Sequence, residues 1–262
     1  MPAPRLDVLE KIKLLESKGE FDQHINPIDY DIAISVDNFN YIKKGLERIK
    51  VFFQNTFIVK PYTLYLNKKI IKTKVLGRHY LNGIDSAIVT CNHVYIYDCL
   101  VAKYGLRGHR LKITAAEFNN RKGFLGEMMR AGGMMPFSSK YENMKRFNYA
   151  MKYYLERKNY ILFYPEEAMW HMYDKPRPYK KGAFHYAVKF GVPVIPIFIT
   201  FKNSGKINQD GMEEKYFILH IMKPIFAKEE LDAKQNIEYM RQKNYQMCCD
   251  KYQEFYGKKL KI

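Results

Sequence analysis

The chain has 262 residues, 47% hydrophobic and 15% aromatic, which excludes intrinsic disorder and allows one large domain with a sizeable core. Its formal charge of +17, from 44 Lys and Arg against 27 Asp and Glu, restricts partners rather than fold: nucleic acid, an anionic membrane surface, or an acidic protein or ligand. No apolar run approaches the roughly 18 residues that span a bilayer, and the charged start "MPAPRLDVLEKIKLLESKG" has no signal-peptide core, so the expected location is cytoplasmic, peripheral on the inner face of the cell membrane.

In chain order, residues 5–18 place Leu6, Leu9, Ile12 and Leu15 at helical spacing. A polar stretch, "KGEFDQHINPIDYD", follows. A second helix is expected from about Asp37, an N-cap candidate, to about Thr56. Its apolar residues Phe39, Ile42, Leu46, Ile49 and Phe53 are interleaved with Lys43, Lys44, Arg48 and Lys50. Such a helix either covers a core or lies on an anionic membrane. Residues 1–60 are therefore read as an N-terminal helical segment and a candidate membrane-docking hairpin.

Residues 61–262 change texture. Strands are expected at "TLYL", "IIKTKVLG", "SAIVTC", "HRLKITA", "GGMMPF", "YILFYP", "VPVIPIFIT" and "YFILHIMKPIF". Helices are expected near 97–104, 122–131, 141–157, 180–190 and 228–255. This alternation indicates an α/β fold: a single layered domain with a mostly parallel central sheet flanked by helices. Sites in such sheets form at the C-terminal strand ends, which points to "SAIVTCNH" and "YILFYPEE". The cysteines Cys91, Cys99, Cys248 and Cys249 lack metal-ligand spacing and read as free thiols of a reducing cytosol.

In "TCNHVYIYDCL", Asp98 can turn back to hold one nitrogen of His93, leaving the other to take a proton from a hydroxyl. That is a base with its orienter and no obvious built-in nucleophile. A structural histidine beside a helix-capping aspartate is the plainer alternative. Glu166 and Glu167 at the end of "YILFYP" suit polyol binding, acid–base work or a solvated turn. The basic loop of Lys175, Arg177, Lys180 and Lys181 can hold a phosphate or simply face water. Pro193 and Pro196 suit strand ends or an edge. Met134 and Met135, within "GEMMRAGGMM", either line an acyl tunnel or fill the core.

Taken in order, these pieces resemble the glycerolipid acyltransferase family that includes the 1-acylglycerol-3-phosphate acyltransferases, part of the lysophospholipid acyltransferase superfamily. The family's histidine and aspartate separated by four residues match His93 and Asp98, after Asn92. Its Pro-Glu motif matches Pro165 and Glu166, its Lys-Gly helix start Lys181 and Gly182, and its Val-Pro-Val-x-Pro strand Pro193 and Pro196. The resemblance covers about residues 70–225. It implies that His93 is general base on an acceptor hydroxyl, oriented by Asp98, and that the hydroxyl attacks an acyl thioester on coenzyme A or acyl carrier protein. It implies no other cofactor, and no metal site is apparent. Glu166, Lys181 and Gly182 are then expected at the acceptor, and Pro193 and Pro196 beside the acyl chain.

Two departures bear on the acceptor. The arginine that usually follows the family's second motif is replaced near Ser138 and Ser139, with Arg130 and Arg146 as nearby substitutes. The third motif, usually Pro-Glu-Gly-Thr-Arg, continues here as Glu167, Ala168 and Met169. A lysophospholipid, a glycolipid or an amine-bearing lipid all remain open as acceptor. The expected partners are an anionic membrane surface, the lysolipid and acyl carrier protein. A non-catalytic lipid-binding protein on the same scaffold is the rival reading. A nucleic-acid module has only charge and aromatics in its favour, and no recognised motif, so no nucleic acid is expected.

Overall fold

A computed structural model describes residues 2–25 and 31–260; residues 26–30 of the polar stretch after the first helix lie outside the described residues. Its sheet consists of β1 (Lys74–Leu76), β2 (Ala87–Cys91), β3 (Arg110–Ala116), β4 (Met134–Phe137), β5 (Asn159–Phe163), β6 (Val194–Ile207) and β7 (Glu213–Ile221). The spatial order is β1-β7-β6-β2-β5-β3-β4. Among the described strands every pairing is parallel except the hairpin of β6 with β7, whose connection is too short for a crossover. The fold is thus α/β with a mostly parallel sheet.

Alternation along the central strands sends side chains into two cores, which is why the strands read as near-continuous apolar runs. Ala87, Val89 and Cys91 of β2, Tyr160 and Leu162 of β5, and Ile195, Ile197 and Ile199 of β6 face one side. They meet Val101, Ala102 and Leu106 of α4 (Asp98–Gly105) and its following turn. Ile88, Ile161, Val194 and Phe198 face the other. There they meet Phe147 and Met151 of α6 (Tyr141–Leu155), Phe184 and Ala187 of α7 (Gly182–Phe190), and Met240 and Cys248 of α8 (Ala233–Tyr256). Each buried aliphatic side chain contributes about 1.5–3 kcal/mol. Gly191 ends α7 in a left-handed conformation, φ 63°, which glycine adopts without a Cβ clash.

The N-terminal helix α1 (Leu6–Lys18) forms, but it buries Val8, Ile12 and Leu15 while Leu6 is exposed. Its apolar face and Ile25 cover Ala168, Trp170 and Tyr173, the stretch that follows β5.

The second helix differs from expectation. Asp37 is no N-cap: its carboxylate accepts from Lys140 and Asn143, so residues 31–43 strap the end of β4 instead. Helix begins only at α2 (Gly45–Gln54) and runs through a π-turn (Asn55–Val59), α3 (Lys60–Tyr65) and a second π-turn (Leu66–Ile70). The first wide turn ends two residues before Pro61, which lacks the N–H for a normal i→i−4 bond. The expected strand "TLYL" lies inside this run, because Val59, Thr63, Leu66 and Asn67 fall on one buried helical face. The run passes unbroken through residue 60.

Pro196 is not at an end or an edge but inside β6, between β2 and β7. Its carbonyl accepts from Met222 just beyond the last β6–β7 pair, Ile197 with Ile221, so its missing donor faces the place where that ladder has ended.

Candidate active site

The pairing of β2 with β5 builds the site. Thr90 lies opposite Phe163, and the offset of 73 positions continues past both strand ends, so His93 meets Glu166. Asn92 locks β2 on its other flank: its amide donates to the Ile199 carbonyl at 3.0 Å and accepts from the Ile199 N–H at 2.8 Å. One side chain thereby acts as an extra rung of the ladder. The chain then turns, and α4 begins at Asp98.

His93 Nδ1 lies 2.7 Å from Asp98 Oδ2. The same oxygen accepts from the N–H groups of Val94 (3.0 Å) and Tyr95 (3.3 Å), and Oδ1 accepts from the Tyr164 hydroxyl at 2.7 Å. Four donors therefore converge on a carboxylate that is 1% exposed, at the positive end of a helix. An acceptor-only carboxylate calls for a proton on Nδ1, which leaves Nε2 with a lone pair. The imidazole lies flat against Tyr164, ring centres 4.0 Å apart, and keeps 23% of its side-chain surface exposed. Burial and the Asp98 charge push the Tyr164 phenol well above its usual range, so it stays a donor.

The resulting geometry is an imidazole held in one orientation through Nδ1 and partly exposed, an arrangement that suits a general base. Cys91, the rival nucleophile, is fully buried, and burial followed by the charges of Asp98 and Glu166 raises its thiol well above the normal range. Among the described residues no group of His, Cys, Asp and Glu is arranged to hold a metal ion.

Glu166, expected at the acceptor, is instead buried beneath the dyad. Its Oε2 accepts from the His93 N–H at 3.1 Å and from Arg177 Nη2 at 2.7 Å, and its Oε1 from the Arg177 N–H at 3.1 Å. Arg177, read from sequence as part of a phosphate-holding loop, is therefore an interior ion-pair partner. The other three basic residues of that loop also meet acids: Lys175 with Glu16, Lys180 with Asp22, and Lys181 with Glu238. The N-terminal arm supplies two of those carboxylates.

The remaining expected positions are placed apart from the dyad. Arg130 donates to the Asn120 side chain and the Arg121 carbonyl, and Arg146 to Asn38 and Asn143. Gly182 opens α7 beside Lys181. Met135 is core, packed with Phe147, and Met134 is buried in β4. The Pro193 carbonyl bonds Ile88, and Pro196 is an interior sheet residue. None of these contacts involves His93 or Asp98. The residues that sequence reasoning missed are Tyr164 and the interior role of Arg177. The only signals were a tyrosine directly before the Pro-Glu pair and an arginine held between two prolines.

Glu167 has φ 63°, a left-handed conformation in which a glycine is unstrained. The position where the family motif has glycine is thus one whose backbone asks for it.

No curated protein matches the chain. Among solved structures it is similar to the 1-acyl-sn-glycerophosphate (LPA) acyltransferase PlsC from Thermotoga maritima, at 18% identity and a TM-score of 0.46, over 78% of this chain and 88% of that one. The family model Acyltransferase matches residues 72–200, a span that holds His93, Asp98, Tyr164, Glu166 and Arg177. Residues 72–200 thus match the acyltransferase family, and the chain carries an acyltransferase domain.

Proposed function

We propose that the protein moves a fatty acyl group from acyl-CoA or acyl-acyl carrier protein to the hydroxyl of a lysophospholipid or related lipid, with His93 as general base and Asp98 as its orienter. The reading rests on one distance, the 2.7 Å between His93 Nδ1 and Asp98 Oδ2, on a ring that stays partly exposed. Nε2 takes the acceptor's hydroxyl proton as the oxygen attacks the thioester carbonyl carbon. The tetrahedral intermediate then breaks its C–S bond, and the imidazolium returns the proton to the departing thiolate. An ester and a free thiol result, and no acyl-enzyme is needed. The raised pKa of the buried Cys91 thiol supports this direct route over a cysteine intermediate.

A second reading, transfer to a non-phosphate or amine-bearing acceptor, is favoured by two observations. Arg130 and Arg146 are engaged by asparagines and a carbonyl, and a carboxylate, Glu167, stands where the family motif has glycine.

We also propose that the helical run 45–70 docks the enzyme on an anionic membrane. Leu46 (84% exposed), Phe53, Phe57 (66%) and, on α5 (Gly123–Ala131), Phe124 (69%) and Leu125 present an apolar surface. Lys43, Lys44, Arg48, Lys50 and Lys60 lie among them in sequence. Scattered exposed apolar residues are ordinary, but a concentration of large rings with basic neighbours is the signature of an interfacial helix. Of the expected hairpin in residues 1–60, it is the part beginning at Gly45 that this proposal uses. No described helix is long and apolar enough to cross a membrane. The net positive charge also suits acidic acyl carrier protein.

The test is thiol release from long-chain acyl-CoA and acyl carrier protein thioesters, with lysophospholipids, glycolipids and lipid amines as acceptors. Acceptor-dependent release that disappears in folded His93→Ala is the expected result. Full release in that variant overturns the mechanism. Liposome binding with no release for any pair overturns the proposed transfer in favour of lipid binding alone.

A further inference from the structure

A buried ion pair is weak evidence of stability, because a well-packed apolar pair often does as well. The Glu166–Arg177 pair is also imperfect: Arg177 is fully buried, and its Nε has no hydrogen-bond partner among the described residues. A buried donor left without a partner is a cost to the fold. The contacts of this pair are therefore informative, and they lead to the catalytic turn. Glu166 accepts from the main-chain N–H of His93, and Arg177 Nη2 reaches the His93 carbonyl at 3.4 Å and the Ala168 carbonyl at 2.5 Å. That His93 carbonyl also accepts from the Trp170 N–H at 2.9 Å. On its far side Arg177 Nη1 donates to the Phe21 carbonyl at 2.9 Å, and its guanidinium lies 4.8 Å from the centre of the Trp170 ring.

We infer that Arg177 is a positioning residue for His93: it neutralises Glu166, which clamps the His93 main chain, and it fastens that clamp to the N-terminal arm. The inference rests on the proposed role of His93 as base. The arm is then a working part of the enzyme, since the carbonyl of Phe21 accepts from one edge of the guanidinium that holds the clamp. Lysine cannot reproduce this arrangement, because one guanidinium reaches Phe21, Ala168, His93 and Glu166 at once through a planar fork.

The charges around the imidazole make the inference testable. Asp98 bonds it from α4 and Tyr164 stacks on it from the end of β5, Glu166 and Arg177 bond the His93 main chain, and His24 acts on it from the N-terminal arm. Glu167 and Lys180 stand further out, Glu167 acting on His24 and on Lys180. Glu166 and Arg177 cancel. Removing only the cation leaves a buried anion near His93, favours imidazolium, and moves the acid fall of kcat/KM to higher pH. Removing only the anion does the reverse.

The experiment is the pH profile of kcat/KM for full-length wild type, Arg177→Met, Glu166→Gln and the double variant, with His93→Ala and melting curves alongside. Arg177→Met is expected to lose about 10–100-fold in kcat, with its acid limb raised by about one pH unit. Glu166→Gln should lower the limb by a similar amount, and the double variant should return it to the wild-type position. If Arg177→Met does not fold, the downward shift in Glu166→Gln carries the test, and Arg177→Lys should lose kcat while keeping the wild-type limb. Loss of rate with an unmoved limb in Arg177→Met or Glu166→Gln, or shifts of the same sign in both, overturns the inference. Turnover surviving in His93→Ala overturns the underlying mechanism instead.

Discussion

The ends of β2 and β5 and the helical run 45–70 solve opposite problems. At the strand ends almost every polar atom is committed: Asp98 takes four donors, Glu166 three, and Asn92 binds the main chain of β6 in both directions. Along 45–70 the outer face carries large apolar side chains whose burial is incomplete. Chemistry demands atoms held within fractions of an ångström, which only crossed hydrogen bonds and packing supply. Adsorption to a fluid surface needs area and charge, not angle. The first region should therefore be intolerant of single-atom changes, and the second tolerant of any change that preserves apolar area.

The contrast breaks most sharply at the dyad. His93→Ala should cut kcat/KM by at least about a thousandfold, and Asp98→Asn by about 10²–10⁴-fold, with melting temperatures near wild type. Steady-state thioester assays on proteins shown to be folded measure both. A loss under tenfold in either would show that the network is architectural.

On the helical face, Phe53→Asp with Phe57→Asp should weaken partition to anionic vesicles by about 10–100-fold while sparing turnover of a water-soluble short-chain substrate. Vesicle sedimentation beside the soluble assay reads the two effects separately. Phe53→Leu with Phe57→Leu should change little. Equal loss in both assays would mean that these rings belong to the catalytic fold.

Acid loss of chemistry has to be separated from acid loss of fold. His220, bonded to Thr200 between β6 and β7, is pushed down to about 4 by burial and then by Lys251. The unfolded chain, titrating near 6.5, binds more protons between these values, so this contribution to stability is complete above pH 6.5 and declines as pH falls toward 4. Between pH 7 and 5 the loss is about 2 kcal/mol. His220→Gln should flatten that part of the urea-melt profile without moving the acid limb of the rate. The smallest effect belongs to Cys91→Ala: kcat within about threefold and a modest cavity cost. A hundredfold loss would return the thiol to the mechanism.

What could be read in advance follows the range of the forces involved. β2, β5 and β6 show in the sequence because each buries both faces and so becomes an apolar run of strand length. His93 and Asp98 are legible because their partnership is local, five positions apart. Asp37 was not legible as a strap residue: its partners Lys140 and Asn143 are more than a hundred positions away, and a carboxylate before an apolar stretch also fits a helix cap. "TLYL" was ambiguous for another reason, since four apolar-rich residues do not distinguish period 2 from period 3.6. Arg177 looked like one more surface cation in "KPRPYKK". Only the fold brings Glu166 and the Phe21 carbonyl to it and removes it from water.

Trp170 turns this arrangement into an optical signal. It is the single tryptophan of the chain, and it is fully buried. Its main-chain N–H bonds the His93 carbonyl, its indole N–H bonds the Gln23 carbonyl at 2.9 Å, and its ring lies against the guanidinium of Arg177. Indole emission moves to the red when water reaches the ring, so the intrinsic fluorescence of the unlabelled enzyme reports one locus, the seam between arm and catalytic turn. Stopped-flow emission during refolding, or while thioester and acceptor are added, would time the closing of that seam without a single introduced probe.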